Sequence, residues 1–520
     1  MTADPTATDV SKQIRYHRPR AGISLAHLWP LTVLLGILIF INTHPIRPHD
    51  FWWHMAVGRE IVQTGQIPAV DTFSHTMAGT PYPSYQMFWL PEVALYLGYN
   101  VGGPALIVFA QALLITGAYG LLLLAAYRIS GSTRVAALTT LVAAAPGIND
   151  WNVRPQAVAF PIAALFLLTI TTYRARPRPL RLIVFPLGMA IWANSHGTFA
   201  LGLFLIGAWL PDEAWRLLSA RLRNRAWPET TSLRAPAVAL ATSALACLLN
   251  PQGLGILRYV TGITGSPAIQ RLVTEWAPPT FETLGGQLFH SVLLLSITVV
   301  ILSRERPTLF QLLTFLAVTM LGLRTLRGSV WFGLVVAPTL AAHLPDLGRQ
   351  THVLLGSWGA SRTHESRRLN TAIASLLALA AIITLPWFKS YLPLPDLKAG
   401  LVSHETPIEA TLFLVEEDLP GPLFHEMGFG SYLIWAAQSE YPVFVDPRIE
   451  LYPLELWVDY LTVSTAQDGW EQILDRFDIQ TLMLSPATQL DLVNAALHDG
   501  NWHERYADHA ALIFVRAPSD

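Results

Sequence analysis

Apolar runs of about 17–25 residues, nearly free of charge, recur along this chain, and no other feature limits its fold so tightly. A run of that length crosses the hydrocarbon core of a bilayer as a helix, because a helix satisfies its own backbone donors and acceptors where water is absent. The runs fall near 27–43, 104–127, 135–148, 156–173, 180–194, 197–211, 235–249, 286–302, 308–323, 329–345 and 370–387, which predicts about eleven transmembrane helices. The run at 135–148 is short for a span. Of the 520 residues 52% are hydrophobic and 13% charged, against about 25% charged in soluble proteins. An ordinary soluble enzyme is therefore excluded. Cys247, the one cysteine, lies inside an apolar run, so the chain builds no internal disulfide and no thiolate metal site.

Charge sorts the two sides of the expected bundle. With the N-terminus inside, cytoplasmic segments hold 21 of the 34 Lys and Arg, and outer segments before residue 389 hold 7. The excess of basic residues on one side predicts an N-terminus in the cytoplasm, a C-terminus outside and an odd number of crossings. The tail 1–26 carries Lys12, Arg15, Arg18 and Arg20, and no small-residue cleavage site follows, so the first apolar run reads as a retained helix. Residues 27–388 form the transmembrane domain. Residues 389–520 differ in kind: they carry 21 of the 36 acidic residues and 6 basic ones. A helix near 406–417, strands at 422–425 and 442–445 around a helix beginning near Gly430, a helical stretch over 467–475 and strands near 480–484 and 510–516 predict a small extracytoplasmic α/β domain. Its acidity argues against nucleic acid as a partner.

The polar residues gather on the expected outer side. Segment 44–102 is the longest loop between runs. Asp50 precedes an amphipathic stretch, 51–64, where it can act as N-cap, and His54 follows one turn later. Trp52 and Trp53 suit the headgroup level, so this stretch is expected to lie at the interface. Asp50 either caps and anchors that helix or serves as a base or substrate binder; Asp71, after Gly65 and Pro68, divides the same way between turn capping and chemistry. The loop after the third run carries Asn149, Asp150, Trp151, Asn152, Arg154 and Gln156. Asn194 and His196 join the fifth and sixth runs almost without a loop, where lipid offers neither a partner. Arg324 and Arg327 stand where Arg is under-represented: either they pair with carboxylates such as Glu275, or they grip a phosphate arriving from the membrane. The motif VFVDPRIELY at 443–452 sets Asp446, Arg448, Glu450 and Tyr452 together, either to fix a loop against the membrane domain, the favoured reading, or to close over an acceptor.

Carboxylates, a histidine, amides and arginines at one end of a bundle favour an enzyme acting on a lipid-linked phosphate. A channel would spread polar groups through the midplane, and a secondary transporter would show two related halves with broken helices.

The segments DFWWHMAVGREI, IPAVDTFSHT, WANSHGTFALG, LNPQG and GSYLIW…VFVDPRIELY, with a long outer loop directly after the first span and an outer C-terminal domain, resemble the GT-C superfamily of integral-membrane glycosyltransferases. Within it they are similar to a group of bacterial multi-span proteins, most without an established activity. The resemblance implies a polytopic α-helical fold in the bacterial cytoplasmic membrane and a polyprenyl-phosphate-linked sugar as donor. The acceptor, a glycan, lipid or protein, stays open. It implies Asp50, with Asp71 as understudy, as catalytic base or ligand of a divalent cation such as Mg or Mn, and Arg324 or Arg327 as the phosphate contact. The loop lacks the Asp-x-Asp pattern of metal-using members, so a metal site would need Asp50 and Asp71 to converge. Transfer needs a base for the acceptor hydroxyl and a cation for the departing phosphate. His54 is a further catalytic candidate, and His196, Asn194, Glu275, Trp151 and Arg154 are substrate-binding candidates, with Trp53, Trp89 or Trp151 available to stack on a sugar. The alternative is a flippase, export component or scaffold for polyprenyl-linked glycans that makes and breaks no bond.

Overall fold

The computed structural model describes residues 22–224, 231–258, 262, 274–355, 365–437 and 440–517. The tail arginines and Lys12, and Arg225, Arg271 and Arg362 of the charge count, lie outside the described residues. Each of the eleven apolar runs falls on a helix. In chain order they are α1 (Leu25–Asn42), α3 (Tyr85–Ser130), α4 (Thr133–Ala144), α5 (Ala159–Tyr173), α6 (Val184–Ala193), α7 (Phe199–Leu222), α8 (Arg234–Cys247), α9 (Leu284–Leu302), α10 (Leu309–Arg324), α11 (Ser329–Leu355) and α12 (Arg367–Ile383), with α2 (Phe51–Thr64) in the first loop. Five helical segments among the described residues are long and apolar enough to cross a membrane unaided: α1, α3, 155–173, α9 and 326–350. Helices such as α6, α8 and α10 are apolar but shorter.

Local chemistry sets the helix ends. Thr308 starts α10 with a reciprocal cap, its Oγ1 accepting from Gln311 N at 3.2 Å while Gln311 Oε1 accepts from Thr308 N at 2.8 Å. Gly65, at φ 70°, ends α2 in the left-handed region that glycine enters without strain. Helix α3 is broken at Gly102 and Gly103, just before Pro104, so an N-terminal limb carrying Glu92 meets the apolar limb at a bend.

The C-terminal segment contains a four-stranded sheet of order β1-β2-β4-β3, with β1 Leu423–His425, β2 Thr481–Leu484, β3 Trp502–Ala507 and β4 Leu512–Arg516. Strands β1 and β2 run parallel, Leu423 opposite Thr481; β4 is antiparallel to both β2 and β3. The helices α13 (Ile408–Glu416), α14 (Met427–Ala436) and α16 (Trp470–Arg476) match expected ones, whereas α15 (Leu454–Ser464), α17 (Leu490–His498) and β3 were not expected.

Two expectations are corrected here. The strand expected at 442–445 is not in the sheet: Val443 makes a single bridge to Ser74, donating to Phe73 O at 2.9 Å and accepting from His75 N at 3.1 Å. And the tryptophans of α2 do not face lipid. Trp52 and Trp53 are 2% and 4% exposed. Trp53, Ala56, Val57 and Ile61 share one core with Phe429, Leu433 and Val445 of the C-terminal segment, while Trp52 packs edge-on against Tyr432 at 5.1 Å. The face of α2 that would meet lipid in isolation is covered by α14, whose burial of aromatic area outweighs an interfacial seat.

Candidate functional site

The site is assembled where α2, the N-terminal limb of α3 and the links 145–158, 194–198, 274–283 and 325–328 meet. Gln111 of α3 donates through Nε2 to the carbonyls of Trp151 at 3.2 Å and Asn152 at 2.8 Å, which fixes the loop that presents Arg154. Leu326 N donates to Ala277 O at 2.9 Å, tying the segment of Glu275 to that of Arg327.

Arg154 is the hub. Its Nε lies 2.7 Å from Asp50 Oδ2, and its Nη1 donates to both oxygens of Glu275, at 2.9 and 2.7 Å. Arg327 Nε donates to Gln156 Oε1 at 3.0 Å and stands 3.9 Å from Glu275 Oε2. All four charged side chains are partly exposed. Asp150 lies buried beside them. Burial raises its carboxyl and Glu275 raises it further; with Arg327 and Arg154 opposing, it stands at about 7. Glu275 goes the other way: burial raises it, but the two guanidiniums bring it to about 2. Burial works against the charge on Arg154, yet Asp50, Glu275 and Asp150 raise it above the usual arginine value.

Two histidines face this network. His54 and His196 both pack on Phe88, with ring centroids 5.4 and 5.8 Å away. Burial, then the charges of Arg154, His196 and Arg327, hold His54 well below the ordinary histidine value; burial, Arg327 and Arg154 do the same to His196. His54 Nδ1 is 2.8 Å from Glu92 Oε1. His196 Nδ1 is 2.9 Å from Thr198 Oγ1.

Several expected roles change. Asp50 makes no side-chain cap on α2, because its carboxylate turns to Arg154 instead. Asp71 is 1% exposed, accepts from Ser74 N at 3.0 Å and Ser74 Oγ at 2.6 Å, and pairs with Arg448. Asp50 and Asp71 are thus held by different arginines and do not converge. With each carboxylate already engaged by a guanidinium, the donor set does not fit a divalent cation; among the described residues no group of three or more His, Cys, Asp or Glu is arranged to hold one. Asn194 is a cross-link, accepting from Trp89 Nε1 at 2.7 Å and Asn250 Nδ2 at 3.3 Å. Trp53 is stacked on His54, centroids 3.6 Å apart, and Trp151 is 7% exposed, so neither presents a face to a sugar. Arg324 is exposed and joins none of these ion pairs, so the guanidinium beside Asp50 is Arg154, with Arg327 beyond it. Arg448 takes the fixing role: wholly buried, it pairs with Asp71 and Asp446 and contacts Tyr85. Sequence reasoning missed Glu92, although it is the lone Asp, Glu, Lys or Arg between Asp71 and Arg128. A single acid in so apolar a stretch was the available signal.

No family model matches the chain, and no curated protein matches it. Among solved structures, the archaeal oligosaccharyltransferase AglB from Archaeoglobus fulgidus, in complex with an inhibitory peptide and a dolichol-phosphate, superposes with a TM-score of 0.56 at 12% identity, over 94% of this chain and 74% of that one. The chain shares the fold of that structure. The apo form of the Archaeoglobus fulgidus enzyme agrees, with a TM-score of 0.53 at 13% identity over 95% and 75% of the two chains. ArnT from Cupriavidus metallidurans bound to undecaprenyl phosphate gives a TM-score of 0.47 at 14% identity over 95% and 98%. At 12% and 13% identity the likeness to the Archaeoglobus fulgidus enzyme is one of architecture, a multi-pass helical bundle carrying a C-terminal domain.

Proposed function

We propose that the chain is a glycosyltransferase that moves a sugar from a polyprenyl-phosphate carrier to an acceptor hydroxyl at the outer membrane face. The observation that carries this reading is the partly exposed pair of guanidiniums, Arg154 and Arg327, bridged by Glu275 at the loop end of a GT-C-like bundle. In the transfer the acceptor oxygen bonds to the anomeric carbon while the bond from that carbon to the phosphate oxygen breaks, leaving its electron pair on the phosphate. Negative charge grows on the phosphate, and two guanidiniums held by carboxylates meet it without reorganising. Asp50 serves by orienting Arg154, since an Asp50 oxygen that took a proton would give up that ion pair. The fold itself speaks only for architecture, so the donor class rests on the site chemistry together with the sequence resemblance.

The test is to reconstitute the full chain in lipid nanodiscs and supply polyprenyl-phosphate hexoses, following binding, hydrolysis and transfer. Arg154→Ala and Arg327→Ala are expected to raise KM for the carrier-linked sugar and lower turnover, because the phosphate is present in the ground state and gains charge later. Arg324→Ala is expected to stay within about threefold of the parent. Carrier that crosses vesicles with no bond broken would replace the transferase with a flippase.

A further inference from the structure

We propose that His54, held by Glu92, takes the proton of the acceptor hydroxyl, and that Glu92 receives the proton His54 gives up; the inference rests on the glycosyl-transfer reading above. Asp50 and His54 are one helical turn apart on one face of α2, with His54 N donating to Asp50 O at 3.4 Å, so both side chains look toward the same space. Asp50 is occupied by Arg154. His54 has one nitrogen engaged, Nδ1 at 2.8 Å from Glu92 Oε1, and its side chain keeps 6% exposure while Glu92 has none. Nδ1 faces Glu92, so Nε2, across the ring, is the nitrogen left for an acceptor.

The surroundings dictate how the proton moves. Burial disfavours a free imidazolium at His54, and the charges of Arg154, His196 and Arg327 add to that effect. Glu92 Oε2 and Trp53 Nε1 are buried without a hydrogen-bond partner among the described residues. Burial raises the Glu92 carboxyl well above its ordinary value, so the pair is competent in the fraction of chains where Glu92 is ionised and accepts from Nδ1–H, and the cost of that buried charge makes Glu92 a strong proton acceptor. With the shared proton on Nδ1, Nε2 offers its lone pair; the hydroxyl proton goes to Nε2 as the Nδ1 proton passes to Glu92 Oε1. The ring stays neutral throughout, and the new negative charge appears only on the phosphate, beside Arg154 and Arg327. Gly58 makes the contact possible, since a Cβ there would sit 2.1 Å from the Glu92 carbonyl oxygen.

Labelled undecaprenyl-phosphate hexose is the probe, with the full chain in nanodiscs. His54→Gln and Glu92→Gln are expected to lower turnover about 10²-fold, with probe affinity and melting temperature close to the parent. Asp50→Asn is expected to lose less than about tenfold in turnover. Glu92→Asp should recover part of the loss, and nitrogen NMR of the histidines should show the ring of His54 neutral at pH 6 and its tautomer changed by Glu92→Gln, readouts that a merely structural role would not move. Turnover of His54→Gln or Glu92→Gln within about threefold of the parent, with Asp50→Asn inactive, would overturn the inference and return the base to Asp50 while leaving sugar transfer intact. A parent chain that neither binds nor cleaves the probe would remove the transfer reading and this inference with it.

Discussion

Asp150 shows how a single side chain can tune the site. It stands at about 7, raised by burial and by Glu275 against the pull of Arg327 and Arg154. Below that pH it is neutral, and the guanidiniums keep more of their field for an incoming phosphate; above it an extra negative charge competes. KM for a polyprenyl-phosphate hexose is therefore expected to be lower at pH 6 than at pH 8, and Asp150→Asn should flatten that dependence, as steady-state kinetics at the two pH values would check. The same raised value has a stability sign. The folded chain holds a proton that the unfolded chain loses at about 4, so this contribution is present below that pH and is lost as pH rises through about 7.

Helix α2 and its crossing with α3 carry the argument at the scale of elements. Gly58 lies against the backbone carbonyl of Glu92, and a Cβ would approach it to 2.1 Å, closer than any rotamer change can relieve. Gly58→Ala is expected to push α2 off α3, to cost about 1–3 kcal/mol in thermal unfolding, and to lower turnover with it by separating His54 from Glu92. The sequence made α2 legible as an amphipathic helix but not its seat, because periodicity reports which faces are apolar and not what covers them. Strand β3 was missed for a related reason: His503, Glu504 and Arg505 at its centre are exposed on the sheet edge, so it lacks the alternation that marks a half-buried strand. Segment 442–445 failed in the opposite sense, an apolar run that reads as a strand yet is buried between a loop and α14.

For the molecule as a whole, the acidic C-terminal segment and the loop between α1 and α3 form one folded unit. Their core is continuous from Trp53, Val57 and Ile61 to Phe424, Val443 and Leu482, and the buried Arg448 draws Asp71 and Asp446 together across it. A fragment of residues 389–520 would expose that apolar face and leave Arg448 short of one carboxylate, a loss of about 3–5 kcal/mol for a broken buried pair. Expressed alone, it is expected to lack fixed tertiary structure by near-ultraviolet circular dichroism, and coexpression with the rest of the chain should restore it. The charge asymmetry predicts the side: a reporter fused at residue 450 should be active outside the cytoplasm, and a cytoplasmic signal there would remove an outer-face site.

The sequence by itself determined the helical membrane architecture, because long uncharged runs have one stable solution in lipid, and it marked the polar end of the bundle through residues such as Asp50, His196, Glu275 and Arg327. Fold resemblance was legible in motifs of which DFWWH and NSHG lie at the site, while IPAVDTFSHT and VFVDPRIELY build the Asp71–Arg448–Asp446 anchor. Which charge meets which was decided only by tertiary structure. Asp50 is joined to Arg154, about a hundred residues away, and His54 to Glu92 across a helix crossing that depends on Gly58. Ion-pair partners are chosen by the distance left after packing and by the cost of burying a charge alone, and neither quantity is written in the order of residues.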